Sequence, residues 1–363
     1  MNAHLRRAAV AAAVPAMAFS LAGCISAQDS GVKMGDDITV GLLLPENQAA
    51  RYEKFDKPVI EKKISMLTNG KGTVVYANAN QDATLQAQQL DDMIDKKVEA
   101  LIVDAVDAKA IAVGVKKAEE AGIPVVAFDR LAEGPISAYT SFDNKEVGHV
   151  QGKALLEALG DKAKDGQIVM MNGASTDPNA AQFKAGAHAE LDGKVNIGRE
   201  FDTKDWKPEN AGANMRDALS ALGSNKVIGV YSANDGMAGG IITALKADGM
   251  FPIPPVTGQD AELAAVQRIV AGEQFMSVYK PYAPEAAAAA EMAILLARGM
   301  SLDAMAQADV DSPTTKQIPS VLVPVIPLTQ DNIEETVIAD GIYTVEEICT
   351  PKYKADCNEL GLK

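Results

Sequence analysis

ALIVDAVDAKAIAVGVKKAEEAGIPVVAFDR, residues 100–130, decides the fold. Its opening residues, Ala100 to Val103, are apolar without interruption, and Ile123 to Phe128 is apolar throughout. A strand with no polar alternation is covered on both faces. Between the two runs, Ala108 to Ala121 has helical spacing and stops at Gly122, the residue type that most readily takes the left-handed turn after a helix. Strand, helix and strand in this order form a βαβ unit, whose two strands lie parallel.

The same rhythm extends in both directions. Upstream, Ile38-Leu44 reads as a strand, Arg51 to Leu67 as a helix, Thr73-Tyr76 as a strand and Asp82-Lys96 as a helix. Downstream it restarts with a helix over Lys145-Leu159. The strands expected there are Gln167-Met171, Val195-Phe201, Val227-Tyr231, Val256-Gly258 and Phe275-Tyr279. Helices fall between them at Ala180-Leu191, Glu209-Leu222, Gly236-Ala247 and Glu262-Ala271, and an alanine-rich helix follows over Pro284-Arg298. Alanine is the best helix former, so the run Ala286-Ala290 marks a packed helix. The expected fold class is α/β, with two doubly wound parallel-sheet modules of similar length.

The 363-residue chain suffices for two domains. Its formal charge is −15, and removal of a leader with two arginines would make it more negative still. Such a chain repels phosphate backbones, so nucleic acid is not an expected partner. G-x-S-x-G, His-x-x-x-His and P-loop patterns are absent. GMAGG (236–240) opens a helix after a strand but departs from G-x-G-x-x-G. No cofactor or metal is expected, and the protein is not expected to be an enzyme.

The N-terminus has Arg6 and Arg7, an apolar stretch from Ala8 to Ala22, and then Leu21-Ala22-Gly23-Cys24. The stretch is short for a transmembrane helix. Small residues before a cysteine at its end mark a lipoprotein signal over 1–23, with lipid on Cys24. The alternative is an ordinary secretory signal. Either places the mature protein outside the cytoplasm. The polar segment 24–35 reads as a flexible tether. In an oxidising compartment Cys349 and Cys357 are expected to pair as a disulfide; a zinc site is the alternative, although the tail holds no histidine.

In doubly wound sheets, polar ligand-binding groups gather at the carboxyl ends of the strands. Asp129-Arg130, Asn234-Asp235, Gln259-Asp260 and Lys280 occupy such positions, and Glu46, Asn47 and Arg51 follow the first strand. Asp accepts hydrogen bonds, Arg and Lys donate them, and Asn does both, so together they suit a ligand rich in hydroxyl groups. Trp206, the one tryptophan, lies in the polar loop DTKDWKPEN and offers a face for the C–H side of a sugar ring.

The segments AFDRLAEGPISAYTSFDN (127–144), DWKPENA (205–211), SANDGMAGG (232–240), VTGQDAELAAVQRIVAG (256–272) and VYKP (278–281) resemble those of the monosaccharide-binding proteins of bacterial ABC transporters. These have the type I periplasmic-binding-protein fold, and the nearest branch is the xylose-binding one. The resemblance spans Ile38 to Tyr343. It implies two lobes joined by a three-strand hinge: 36–141 plus 281–321, and 142–280 plus 322–363 with the C-terminal tail. Position by position, it implies sugar-binding roles for Arg51, Asp129, Arg130, Asn179, Asn234, Asp260 and Lys280. Trp206 matches the tryptophan that stacks on the sugar, and Tyr52 stands where the xylose binder has a tryptophan. The expected function is capture of a monosaccharide of xylose, glucose, fructose or galactose type and delivery to ABC permease subunits. The expected form is a monomer, anchored to the membrane by lipid. The competing expectations are a sensor lipoprotein for another small polar ligand such as a nucleoside, a transcription regulator with the same sensor fold, and an extracellular sugar-processing enzyme.

Overall fold

The computed structural model describes residues 35–47 and 49–362. The leader 1–23, Cys24 and the tether through residue 34 lie outside the described residues. Seven strands build the first sheet: β1 (Thr39–Leu44), β2 (Thr73–Asn78), β3 (Ala100–Val103), β4 (Val125–Phe128), β5 (Ala138–Phe142), β10 (Ala308–Val310) and β11 (Ile318–Val323). Their order is β10-β11-β5-β4-β3-β1-β2, and every pair is parallel except β10 with β11.

The uninterrupted apolar strands are buried on both faces. Val40, Leu42 and Leu44 of β1, Ile102 of β3 and Phe128 of β4 pack into one core with α1 (Lys57–Leu67) and α9 (Tyr282–Ala297). Their neighbours Leu43, Leu101, Val103 and Ala127 pack into a second core with α2 (Ala83–Asp95) and α3 (Ala112–Glu120) on the opposite face. The alternation of strand side chains thus feeds two apolar cores instead of one core and one wet face.

β6 (Gln167–Asn172), β7 (Ile197–Asp202) and β8 (Val227–Ser232) form a parallel sheet in the order β7-β6-β8. It is flanked by α4 (Asn144–Leu159), α5 (Pro178–Leu191), α6 (Pro208–Leu222) and α7 (Asp235–Ala247). Next to it come α8 (Leu263–Val270) and the antiparallel pair β9 (Ser277–Tyr279) and β12 (Ile326–Leu328). The chain passes between the two halves three times: from β5 to α4, from β9 to α9, and from β11 to β12.

Several elements differ from the sequence expectation. β5 lies in a stretch where no strand was expected. The expected strand Val256-Gly258 shrinks to one parallel bridge, Val230 to Val256. The Thr257 hydroxyl takes the place of a ladder bond there: it accepts from the Ser232 N–H at 2.9 Å and donates to the Ser232 carbonyl at 3.1 Å, and the prolines at 254 and 255 bar extension upstream. The helix expected from Ala108 begins at Ala112, after a turn in which Asp107 Oδ1 accepts from the N–H groups of Lys109 and Ala110. The helix expected from Arg51 opens with a π-helical turn, Tyr52–Asp56, before α1.

The tail after β12 carries α10 (Val345–Ile348) and α11 (Lys354–Glu359), bridged by a Cys349–Cys357 disulfide. Its apolar residues pack on Tyr279, Val266 and Leu328, and Phe55 reaches them from the first half. No described helix is long and apolar enough to cross a membrane.

Candidate functional site

The carboxyl ends of β1, β4, β6 and β8 face one cavity of about 160 Å³. That is room for roughly ten water-sized groups. Arg51, Tyr52, Asp129, Arg130, Asn179, Trp206, Asn234, Asp260 and Lys280 all line it. The structure therefore brings together all nine residues expected to touch the ligand, drawn from both halves of the molecule, while the strand-end residues Asn47 and Asp235 do not line the cavity. Glu46 and Gln259, noted as strand-end polar residues, line it too, whereas sequence reasoning did not assign Gln81, Asp177, Phe183, Asp205 or Glu262 to this wall. Asp177 carried a signal, as the helix-capping residue immediately before Pro178.

Local backbone aims these groups. Asp177 caps α5 by accepting from the Asn179 N–H, and Asn234 caps α7 by accepting from the Met237 N–H. Of ten described non-glycine residues at positive φ, Gln81, Asp129, Asp205, Trp206 and Asp260 line this cavity. Such conformations carry a cost and persist where the surroundings enforce them. At Asp129 the enforcement is visible. Its carbonyl accepts from Ser141 Oγ at 2.7 Å and from Tyr139 Oη at 3.0 Å, and its N–H donates to the Thr140 carbonyl at 2.9 Å.

The cavity floor is a network of buried charges. Arg51 donates Nε–H to Asp56 at 2.7 Å, one guanidinium N–H to Asp129 and another to Glu285 at 2.5 Å. Burial raises the Asp56 carboxyl to about 6, with Arg51 offsetting only part of that. Burial lifts Glu285 further, well above the ordinary glutamate range. Asp129 is also buried, but Arg51, Lys280 and Arg130 together outweigh the burial and lower it. Asp129 is thus the member of the trio that stays ionised to the lowest pH.

Arg130 pairs with Asp177 at 3.0 Å and with the buried Asp104 at 3.5 Å, and donates to the Ala105 carbonyl at 3.1 Å. Lys280 pairs with Asp260 at 2.7 Å, with its ammonium 5.2 Å from the centre of the Phe142 ring. Burial works against the Lys280 charge, but Asp260 and Asp129 outweigh it and hold the ammonium above its ordinary range.

Trp206 supplies the apolar wall. Its indole N–H donates to Asp177 Oδ2 at 3.2 Å, and its ring meets Phe183 edge-on at 6.3 Å. A side chain at Gly173, just beyond β6, would overlap that ring. The site therefore combines one aromatic plane with fixed acceptors and donors. It can hold a small neutral molecule that has hydroxyl groups around its edge and an apolar face. Among the described residues no group of His, Cys, Asp or Glu could hold a metal ion.

Known proteins match this chain in sequence and fold. The family model described as "Periplasmic binding protein domain" matches residues 40–301. The D-xylose-binding periplasmic protein of Escherichia coli is 35% identical over 318 residues, covering 86% of this chain and 93% of that protein. The multiple sugar-binding periplasmic receptor of Rhizobium radiobacter is 29% identical over 335 residues, covering 86% of this chain and 93% of the receptor. A solved ABC transporter solute-binding protein from Clostridium phytofermentans, with bound β-D-glucose, superposes with a TM-score of 0.78 at 25% identity. That superposition covers 85% of this chain and 99% of the solved one.

Proposed function

This chain belongs to the periplasmic binding protein family, and from that premise we propose that it captures a single monosaccharide between two lobes and delivers it to an ABC importer outside the cytoplasm. The sugar is of the xylose, glucose, fructose or galactose type. The observation that carries the reading is the convergence of nine residues far apart in sequence, from both halves, on one cavity. Asp129, Asp260 and Asn179 serve hydroxyl donors, Arg51, Arg130 and Lys280 serve hydroxyl acceptors, and Trp206 covers the ring face.

The lobes are 36–141 plus 281–321, and 142–280 plus 322–363. The three inter-sheet passages act as the hinge, and closure over the sugar presents one surface to the permease. The relatives named above are binding proteins, and the same role, without turnover, is proposed here. We further propose that Cys24 bears the lipid that holds the mature protein at the outer face of the membrane, where it acts as a monomer. Titration calorimetry of protein lacking residues 1–24 with D-xylose, D-glucose, D-galactose and D-fructose tests the sugar reading. Saturable binding of at least one sugar is expected, with more compact small-angle scattering when bound. Binding of a nucleoside and of none of the four sugars would move the protein to the sensor class. For the anchor, Cys24→Ser is expected to release the protein from membranes with sugar affinity unchanged; a wild type without acyl mass would refute it.

A further inference from the structure

Glu262 precedes α8 and stands in the wall between two spaces. On one side it lines the cavity with Asp260 and Lys280. On the other it lines the groove between α6 and α7, with Arg216 and Thr243. Its Oε1 lies 3.8 Å from the point where a Gly236 side chain would begin, and Asn234 Oδ1 lies 3.9 Å from the same point. Pro208 Cγ lies 3.7 Å from that point, and at Gly236 the Glu262 carboxyl faces a bare backbone position beside Asn234, a residue that lines the cavity.

The other cavity acids are occupied. Asp129 is held by Arg51 and Asn179, Asp177 by Arg130 and Trp206, and Asp260 by Lys280. The Glu262 carboxyl makes neither a hydrogen bond nor an ion pair with any described residue. Its surroundings are acidic: Asp235 on α7, Asp260 before α8 and Glu46 after β1. Lys280 and Asp205 in the cavity wall, Tyr343 in the tail, and Glu209 and Arg216 on α6 are further titratable groups around it. The cation that acts on it is Arg268, which already donates to Gln274 Oε1 at 3.0 Å and to the Asp235 carbonyl at 2.8 Å.

Asp235 accepts from Gln274 Nε2, Ser277 Oγ and the Glu262 N–H, so it is built as an acceptor. Three donors favour the ionised form of Asp235, and no donor does the same for Glu262. Burial, then Asp235 and Asp260, raise the Glu262 carboxyl to about 8.

We propose that Glu262 is a further ligand-contacting residue of this cavity, and that its carboxyl group donates a hydrogen bond to an oxygen of the bound sugar. The inference rests on the monosaccharide reading above. It adds a donor to a wall whose other acids only accept. It also ties binding to proton uptake: the bound form keeps Glu262 neutral, so affinity is greatest at low pH and falls as pH rises through about 8.

The test is calorimetry with D-xylose and D-glucose at pH 6, 7.5 and 9 on wild type, Glu262→Gln and Glu262→Ala, with melting curves to establish folding. Wild-type affinity is expected to fall roughly threefold to tenfold across this range, the scale of one hydrogen bond. Glu262→Gln keeps a neutral donor and is expected to bind a few-fold more weakly at pH 6, with little pH dependence. Glu262→Ala is expected to lose roughly threefold to tenfold at pH 6. If either folded variant matches wild type in affinity and pH profile, Glu262 does not touch the ligand. A wild type that binds neither sugar, nor the other sugars of the panel, refutes the functional reading itself and takes this inference with it.

Discussion

Asn179 Nδ2 donates to Asp129 Oδ1 over 2.7 Å, which joins the start of α5 directly to the end of β4 in the other half of the molecule. The same amide reaches the Asp129 carbonyl at 3.1 Å. Beside it, Arg130 grips Asp177, and the Ala108 N–H donates to the Thr176 carbonyl at 3.3 Å. The halves thus meet through polar groups whose partners are set by a helix cap on one side and a strained strand end on the other.

Asn179→Ala removes a buried hydrogen bond to an ionised carboxylate. Bonds of that kind contribute about 1.5–3 kcal/mol, so sugar affinity is expected to fall roughly tenfold to a hundredfold. Calorimetry measures the loss. Small-angle scattering should also show a less compact sugar-saturated particle, and a variant as tight and as compact as wild type removes this contact from the closed form.

Trp206 and Gly173 form one unit. Trp206→Ala should weaken binding by roughly 2–4 kcal/mol from lost apolar area and stacking, which is on the order of thirtyfold to a thousandfold. Gly173→Ala leaves the tryptophan in the chain but places a methyl group where the ring lies. It should therefore reproduce much of the affinity loss while tryptophan fluorescence remains. Emission that shifts with sugar in wild type and no longer does in Gly173→Ala is the expected signature; an unchanged titration refutes the packing.

The α/β class and the strand-end clustering were legible in the sequence because buried parallel strands are written as apolar runs. β5 was not legible, for a chemical reason. Its Thr140 and Ser141 are fully buried, and Ser141 and Tyr139 spend their hydroxyls on the Asp129 carbonyl. A strand that serves the site loses the apolar signature of a core strand. The floor beneath Arg51 was equally hidden. Asp56 precedes a helix and Glu285 sits in an alanine-rich one, 234 residues from Arg51; nothing local in either segment points to a shared arginine. The single family resemblance, by contrast, placed nine lining residues at once, because a strand-end motif carries its neighbours with it.

The tail should respond to reduction. Cys349 and Cys357 close a short loop, and the chain-entropy model assigns such a loop about 2–3 kcal/mol. Tyr343, Ile348 and Cys357 share a core with Tyr279 and Val266, so loosening the tail exposes the back of β9 and α8. Cys357→Ser is expected to lower the melting temperature and to raise amide exchange first in 344–362. Exchange that rises first at β6 to β8 would show that the tail is not the weak unit.

Stability should fall as pH rises from about 5 to about 8.5. Burial raises Asp56 to about 6, Asp235 to about 7 and Glu262 to about 8. It also pushes Asp104 and Glu285 well above the carboxylate range. A carboxyl whose folded pKa lies above its unfolded one favours the folded state while it is protonated, and that contribution is lost as pH rises through the folded value. His188 acts in the same direction: burial opposes its charge, but Asp192 and Glu200 outweigh that and raise it. Asp129 and Glu200, which are lowered, act in the opposite sense. Their contribution is complete above the ordinary carboxylate range and disappears only below about pH 4. Between these limits the raised groups decide the slope. Melting temperatures in matched ionic strength should therefore be higher at pH 5 than at pH 8.5, and Asp56→Asn should flatten the part of the decline below about pH 6, where its contribution is lost. A melting temperature that is flat or rises across this interval would show that these acids are not held protonated in the folded protein.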